Sequence, residues 1–264
     1  MLLAIDIGNT NTVLGLYRGE ELIEHLRIES RRASTADEYS ALLGVLLGQR
    51  GLSFEDIDEA VIGSVVPPLT EVFEGLCHGA IGRPPLVIGP GVKTGMPILY
   101  DNPREVGADR IVNAIAAFDR CHGACIVVDF GTATTFDVIR NDGAYLGGVI
   151  APGVGISADA LFRHAARLPR VEVARPPKVI GRTTVQAIQS GLVFGYVALV
   201  EGLVERIAKE LGETPTVIAT GGLAALIARE TTAIGEVAEF LTLDGLRMVW
   251  QRNQDAETAR GARA

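Results

Sequence analysis

Tryptophan occurs once in this chain, and aromatic residues as a class make up 5% of it. A core must therefore be built from Val, Ile, Leu and Ala, which suits α/β proteins whose parallel strands are buried on both faces. Cysteine is scarce too. Cys77, Cys121 and Cys125 form an odd, sparse set without framework spacing, which excludes a disulfide scaffold and points to a reducing compartment. Cys121-His122-x-x-Cys125 lacks a second ligand pair, so a buried thiol is expected at Cys125 rather than a metal site. Basic charge is in deficit: 24 Lys and Arg face 32 Asp and Glu, a net charge of −8. Such a field argues against nucleic acid as a partner. It leaves anionic small molecules open, because metal ions and backbone N–H groups screen them locally. The one basic stretch, Arg163 to Arg182, reads as a solvated face. No apolar run approaches the ~18–20 residues of a membrane span, and no basic n-region precedes the first apolar residues. A cytoplasmic protein without a membrane partner is expected.

What is present is chain enough for two modest domains: 264 residues, 48% of them hydrophobic. Leu2 to Ile5, Val13 to Tyr17 and Leu22 to Ile28 read as three strands joined by tight turns. Thr35-x-x-Glu38 is a capping box that opens a helix to about Gln49. A buried strand, Ala60 to Val66, ends at Pro67-Pro68, and a helix follows from Leu69 to about Gly79. Residues 89–104 carry three prolines and three glycines and read as loop. A helix from Glu105 to Arg120 follows, with Ile111, Ile115 and Phe118 at helical spacing.

The pattern then restarts. Ile126-Val127-Val128-Asp129-Phe130-Gly131-Thr132-Ala133-Thr134-Thr135 repeats the grammar of Ala4 to Thr12. Asp129 matches Asp6, Gly131 matches Gly8 and Thr135 matches Thr12, all at an offset of 123 residues. Thr216 to Gly222 echoes the strand at Ala60 to Val66. Shared element order makes duplication the better reading. The halves are drawn at 1–117 and 118–252, with a flexible tail at 253–264. Thr184 to Leu211 reads as one long helix closed by Gly212.

A strand that delivers an aspartate into a Gly-Asn-Thr turn has a chemical use. Gly8 lets the backbone turn sharply and approach a phosphate. Successive N–H groups and the side chains of Asn9, Thr10 and Thr12 offer donors to phosphate oxygens, and the Asp6 carboxylate can hold Mg²⁺. A plain hairpin uses the same residues. Two such turns, one per half, favour a nucleotide gripped in a cleft between the halves. Asp109, in the first turn of a helix, suits either a proton acceptor for an attacking alcohol or a helix cap. Arg110 suits a substrate carboxylate, or else a plain surface arginine or an ion pair. Asp129 serves equally as a cation ligand or a turn cap, Tyr100 as a contact or a packing aromatic, and Thr184 as a contact or a helix cap.

These segments, with Asp101-Asn102-Pro103, Gly107-Ala108-Asp109-Arg110, Gly147 to Gly153 and Thr220-Gly221-Gly222, resemble the type III pantothenate kinases. That family lies within the actin, sugar-kinase and heat-shock-chaperone superfamily. The resemblance implies duplicated actin-like (ribonuclease H-like) α/β domains, with mixed sheets flanked by helices. It implies ATP-dependent phosphorylation of pantothenate at the start of coenzyme A synthesis. Asp6, Ile7, Gly8, Asn9, Thr10, Asn11, Thr12 and Val13 would form the ATP phosphate loop, with Mg²⁺, and Thr132 a second nucleotide contact. Asp129 would bind K⁺ or NH₄⁺. Gly107, Ala108, Asp109 and Arg110, with Tyr100 and Thr184, would bind pantothenate, Asp109 accepting the proton. A homodimer is implied. Two alternatives stand beside this: a non-enzymatic transcription accessory factor on the same fold, and a kinase of another acceptor.

Overall fold

A computed structural model of the chain describes residues 1–165 and 167–261. The first half contains strands β1 (Leu2–Ile7), β2 (Asn11–Arg18) and β3 (Glu21–Glu29), helix α1 (Ala36–Gly48), β4 (Glu59–Ser64), α2 (Pro67–Leu76), β5 (Leu86–Val87) and α3 (Ala108–Cys121). Then come β6 (Cys125–Phe130), β7 (Ala133–Ile139), β8 (Tyr145–Pro152), α4 (Val154–His164), α5 (Thr184–Leu211), β9 (Thr216–Thr220), α6 (Ala224–Ala228), β10 (Glu236–Val237) and α7 (Leu241–Gly261). Two five-stranded mixed sheets result, ordered β3-β2-β1-β4-β5 and β10-β9-β6-β7-β8.

In each sheet the central strand pairs antiparallel with its hairpin partner and parallel with a later strand. β1 and β6 are buried on both faces, which is why they read as unbroken apolar runs. In each, the aspartate alone is only half-buried. The register amends the sequence alignment, however. Asp6 lies opposite Val13, whereas Asp129 lies opposite Thr135. Four residues separate the paired Ile7 and Thr12, but three separate Phe130 and Thr134. The second turn is one residue tighter, so the counterpart of Thr12 is Thr134, not Thr135. Both are fully buried.

Contacts divide the chain into two units. One comprises Met1–Gly95, Asn102–Ala116 and Thr242–Ala264; the other comprises Met96–Asp101 and Ala117–Leu241. The division falls inside α3, and the C-terminal helix joins the first unit rather than the second half drawn from the sequence. The reason is steric fit. A Cβ on Gly15 or Gly63 would lie 2.8 Å from Leu243 or Leu246, and one on Gly245 would lie 2.1 Å from the Val112 carbonyl oxygen. α7 thus beds into the first sheet where side chains are missing, and the Tyr17 hydroxyl donates to Asp244 at 2.8 Å. Where a tail was expected from residue 253, helix runs on to Gly261, with Gln251 donating to Asp255 and Asn253 to the Val249 and Lys93 carbonyls. Residues 262–264 lie outside the described residues.

α1 and α2 cover the other face of the first sheet. The Thr35–Glu38 capping box starts α1, Pro67 and Pro68 start α2, and Tyr39 meets Phe73 at 4.7 Å between ring centroids. Each Leu or Ile buried there contributes about 1.5–3 kcal/mol.

In the second unit α5 supplies the core with Ile188, Leu192, Val193, Tyr196, Val197 and Val200. An 18-residue window of this helix reaches a mean hydropathy of 1.6, enough by length and composition to cross a membrane. That corrects the sequence-based exclusion, which weighed only unbroken apolar runs. Here the apolar stripe of α5 is spent on the core of its own unit, alongside Ile126, Val128 and Phe136.

Candidate active site

The first aspartate turn is built by strand pairing. Gly8 N–H donates to the Asn11 carbonyl at 3.0 Å, and a Cβ on Gly8 would sit 3.0 Å from that same oxygen. Ile7 is fully buried and its carbonyl accepts Val65 N–H at 3.1 Å. The Thr12 hydroxyl shares a hydrogen bond with the Ser30 hydroxyl at 2.9 Å. Ile7 and Thr12 therefore hold the loop, while Asn9 and Thr10 stand exposed at its tip and Asn11 and Val13 are half-buried. Two residues that sequence reasoning missed, Ser30 and Arg32, fasten the loop from outside. Ser30 N–H donates to the Thr10 carbonyl at 3.0 Å and Arg32 Nη2 to Asn9 Oδ1 at 2.9 Å. No periodic or motif signal marks them, because they follow β3 in irregular chain.

The same unit carries Gly107 to Arg110. Ile111 N–H donates to the Gly107 carbonyl at 3.3 Å, so Gly107 opens α3. A Cβ on Gly107 would lie 2.4 Å from Asp109 Oδ1 and 3.6 Å from a Val65 methyl. A side chain there would push the carboxylate out of its present place. Val65 thus links the two segments, bonded to Ile7 on one side and lying beside Gly107 on the other. Asp109 Oδ1 accepts the Arg110 backbone N–H at 2.8 Å. Burial raises the Asp109 carboxyl above its ordinary value, and the Arg110 N–H and charge pull it back in part. Arg110 itself is only 9% exposed, which removes its reading as a surface arginine.

In the second unit backbone crowds around Asp129. Gly221, at φ +90°, leaves room for it: a Cβ there would lie 2.5 Å from Asp129 Oδ1 and 2.7 Å from the Phe130 carbonyl oxygen. A Cβ on Gly153, which caps α4, would lie 2.2 Å from the Thr132 carbonyl oxygen. Thr132 is exposed at the turn tip. Asp129 lies opposite Thr220 in the sheet, and its carboxylate with the close backbone carbonyls offers hard oxygen donors of the kind that suit a hard cation. Among the described residues no three His, Cys, Asp or Glu gather as a metal cage. Mg²⁺ in kinases is typically held by one or two carboxylates plus substrate phosphates, so Asp6 fits that part.

Tyr100 lies half-buried in the loop before Asp101. Its ring packs against Gly147, where a Cβ would meet Cδ2 and Cε2 at 3.2 Å and where φ is +118°. Tyr145 ties the same loop down, donating N–H to Pro97 O at 2.9 Å and accepting Leu99 N–H at 2.8 Å. Thr184 is exposed at the start of α5. The helix cap is its neighbour Thr183, which accepts Gln186 N–H at 3.2 Å, so capping does not occupy the Thr184 hydroxyl.

A family model described as type III pantothenate kinase matches residues 2–206. A type III pantothenate kinase from Syntrophotalea carbinolica is 59% identical over 254 residues, 96% of this chain and all of the relative. One from Myxococcus xanthus is 56% identical, over 96% of this chain and 99% of the relative. Among solved structures, one described as a Baf family transcriptional activator from Campylobacter jejuni superposes with a TM-score of 0.61 at 18% identity, over 96% of this chain and 99% of that one. A ROK hexokinase from Thermus thermophilus superposes at 0.51 and 12% identity, over 96% and 99%. At such identities the two structures speak to fold alone: the duplicated actin-like architecture.

Proposed function

The chain belongs to the type III pantothenate kinases, and on that premise we propose how its residues share the work. The protein is an ATP-dependent kinase of coenzyme A biosynthesis that phosphorylates pantothenate to 4′-phosphopantothenate. ATP and a divalent metal serve the reaction, the metal neutralising charge on the phosphates.

The observation that carries the residue assignments is the Gly107–Asp109 fit. A carboxylate seated over a glycine at a helix end, with its carboxyl raised by burial, supports a proton acceptor. Asp109 takes the proton of the primary alcohol as the γ-phosphoryl group is attacked. Buried Arg110 binds the pantothenate carboxylate, and Gly107, Ala108, Tyr100 and Thr184 shape the rest of that site. Asp6 to Val13 receive the ATP phosphates, chiefly through backbone N–H groups and the exposed Asn9 and Thr10, and Asp6 faces Mg²⁺. Thr132 adds a nucleotide contact. Asp129 binds K⁺ or NH₄⁺, which supplies a fixed positive charge there.

A homodimer is part of the proposal. Ile150, Ile156, Phe162, Val179 and Ile180 in the second unit are exposed, Ile180 at 84%, apolar side chains that a second copy would bury. Three free thiols suit the cytoplasm. The test is ADP release by Asp109→Asn. We expect about a 10²–10⁴-fold lower kcat with the fold intact; an unchanged kcat removes the proton-acceptor role.

A further inference from the structure

The loop Asp6 to Val13 contains one acid and no lysine or arginine. Phosphoryl transfer places negative charge on the oxygens of the γ-phosphate, and phosphate-binding sites commonly answer it with a cationic side chain beside the backbone N–H groups. Here a cation is delivered from outside the loop. Three hydrogen bonds zip residues 30–32 onto it: Ser30 N–H to Thr10 O at 3.0 Å, the Ser30 and Thr12 hydroxyls at 2.9 Å, and Arg32 Nη2 to Asn9 Oδ1 at 2.9 Å.

The two adjacent arginines are treated differently. Arg31 is committed to Glu29, Nε to Oε2 at 2.9 Å, and its backbone N–H donates to the Tyr39 hydroxyl at 2.8 Å. Tyr39 is 2% exposed, and Ser34 N–H closes the turn on the Arg31 carbonyl at 3.1 Å. That anchored turn carries Arg32. Its guanidinium spends one of five N–H donors on Asn9, and no carboxylate pairs with it among the described residues. The charge is thus held at the exposed tip of the loop without being neutralised.

We infer that Arg32 is a further nucleotide-binding residue, donating to the terminal phosphate oxygens of ATP, with Asn9 as the rest that aims its guanidinium. A planar fork of donors suits phosphate oxygens, and a charge-assisted bond there exceeds what a neutral loop side chain offers. The inference rests on Asp6 to Val13 being the phosphate loop.

The experiment titrates ATP and AMP against the full-length protein and its Arg32→Ala, Arg32→Lys and Gly8→Val variants, with steady-state kinetics alongside. Arg32→Ala is expected to weaken ATP at least tenfold while AMP stays within twofold. Its KM for ATP rises, its KM for pantothenate holds, and the salt dependence of ATP binding flattens. Arg32→Lys recovers part of the loss. Unchanged ATP affinity in Arg32→Ala, or equal weakening of ATP and AMP, overturns the inference. Gly8→Val separates the two levels. If it abolishes ATP binding while Arg32→Ala does nothing, the loop assignment stands and Arg32 is discarded. If Gly8→Val leaves ATP binding intact, the loop assignment itself falls and takes this inference with it.

Discussion

Asp109 is a carboxylate kept in a place that disfavours its charge. Because its folded-state pKa is raised, mainly by burial, the protonated form is favoured in the folded protein relative to the unfolded chain. The sign follows: its contribution to stability is full at acidic pH, below the ordinary aspartate value, and is lost as pH rises through the raised value. Asp109→Asn keeps an oxygen for the Arg110 N–H and removes the buried charge. The variant should therefore melt higher than the wild type at neutral pH, with the gap closing in acid; thermal melts across pH would show it. Lower stability of Asp109→Asn at neutral pH would mean that the carboxylate is held by more favourable contacts than its burial costs. The same group as proton acceptor predicts kcat rising with pH through a value above that of an ordinary aspartate, a limb that Asp109→Asn should abolish. Much at this scale was legible in the sequence. Asp6, Asp129 and Asp109 each announce themselves beside a glycine. Arg32 and Ser30 do not, since their position depends on how β3 ends against a loop about twenty residues earlier in the chain. The Thr183 cap was displaced by one residue from expectation, a distance that sequence cannot resolve where two threonines adjoin.

At the scale of elements, the β8 strand works as a platform. Gly147 makes room for the Tyr100 ring, and Tyr145 pins the Pro97–Leu99 backbone. Fully buried Tyr145 is itself fixed by its hydroxyl, which donates to Asp137 Oδ1 at 2.8 Å. Gly147→Val combines a left-handed backbone with a collision against Tyr100. We expect it to raise the KM for pantothenate several-fold with little change in the KM for ATP; equal changes in both would refute the platform. In the first half, and in β6, α5 and β9, strands and helices are readable from apolar runs, caps and prolines; β8, α4, α6, β10 and α7 carry no such signal. Register was not. The second aspartate turn is one residue tighter than the first, and only the hydrogen-bond ladder distinguishes Thr134 from Thr135 as the counterpart of Thr12.

At the scale of the molecule, the chain lends Met96–Asp101 to the second unit, leaves the first within α3 to build the rest of the second, and returns in α7. The return is decided by three glycines, at positions 15, 63 and 245, whose missing side chains admit Leu243, Leu246 and the Val112 carbonyl. No helix is marked here by sequence periodicity, and position along the chain alone places residues up to 252 with the second half; which sheet the segment covers is decided by packing. Gly245→Ala should therefore destabilise the first unit by about 1–3 kcal/mol through overpacking against backbone; a denaturant midpoint equal to that of the wild type would contradict the packing. One reaction tests the residue assignments together. Purified protein is supplied with ATP and Mg²⁺, with and without pantothenate, in Na⁺, K⁺ or NH₄⁺, and ADP release is followed for wild type, Asp109→Asn and Asp129→Asn. Pantothenate-dependent ADP release is expected in K⁺ or NH₄⁺, lost in Asp109→Asn and freed of its cation preference or abolished in Asp129→Asn. No turnover with pantothenate under any cation, or full turnover in Asp109→Asn, would contradict these assignments.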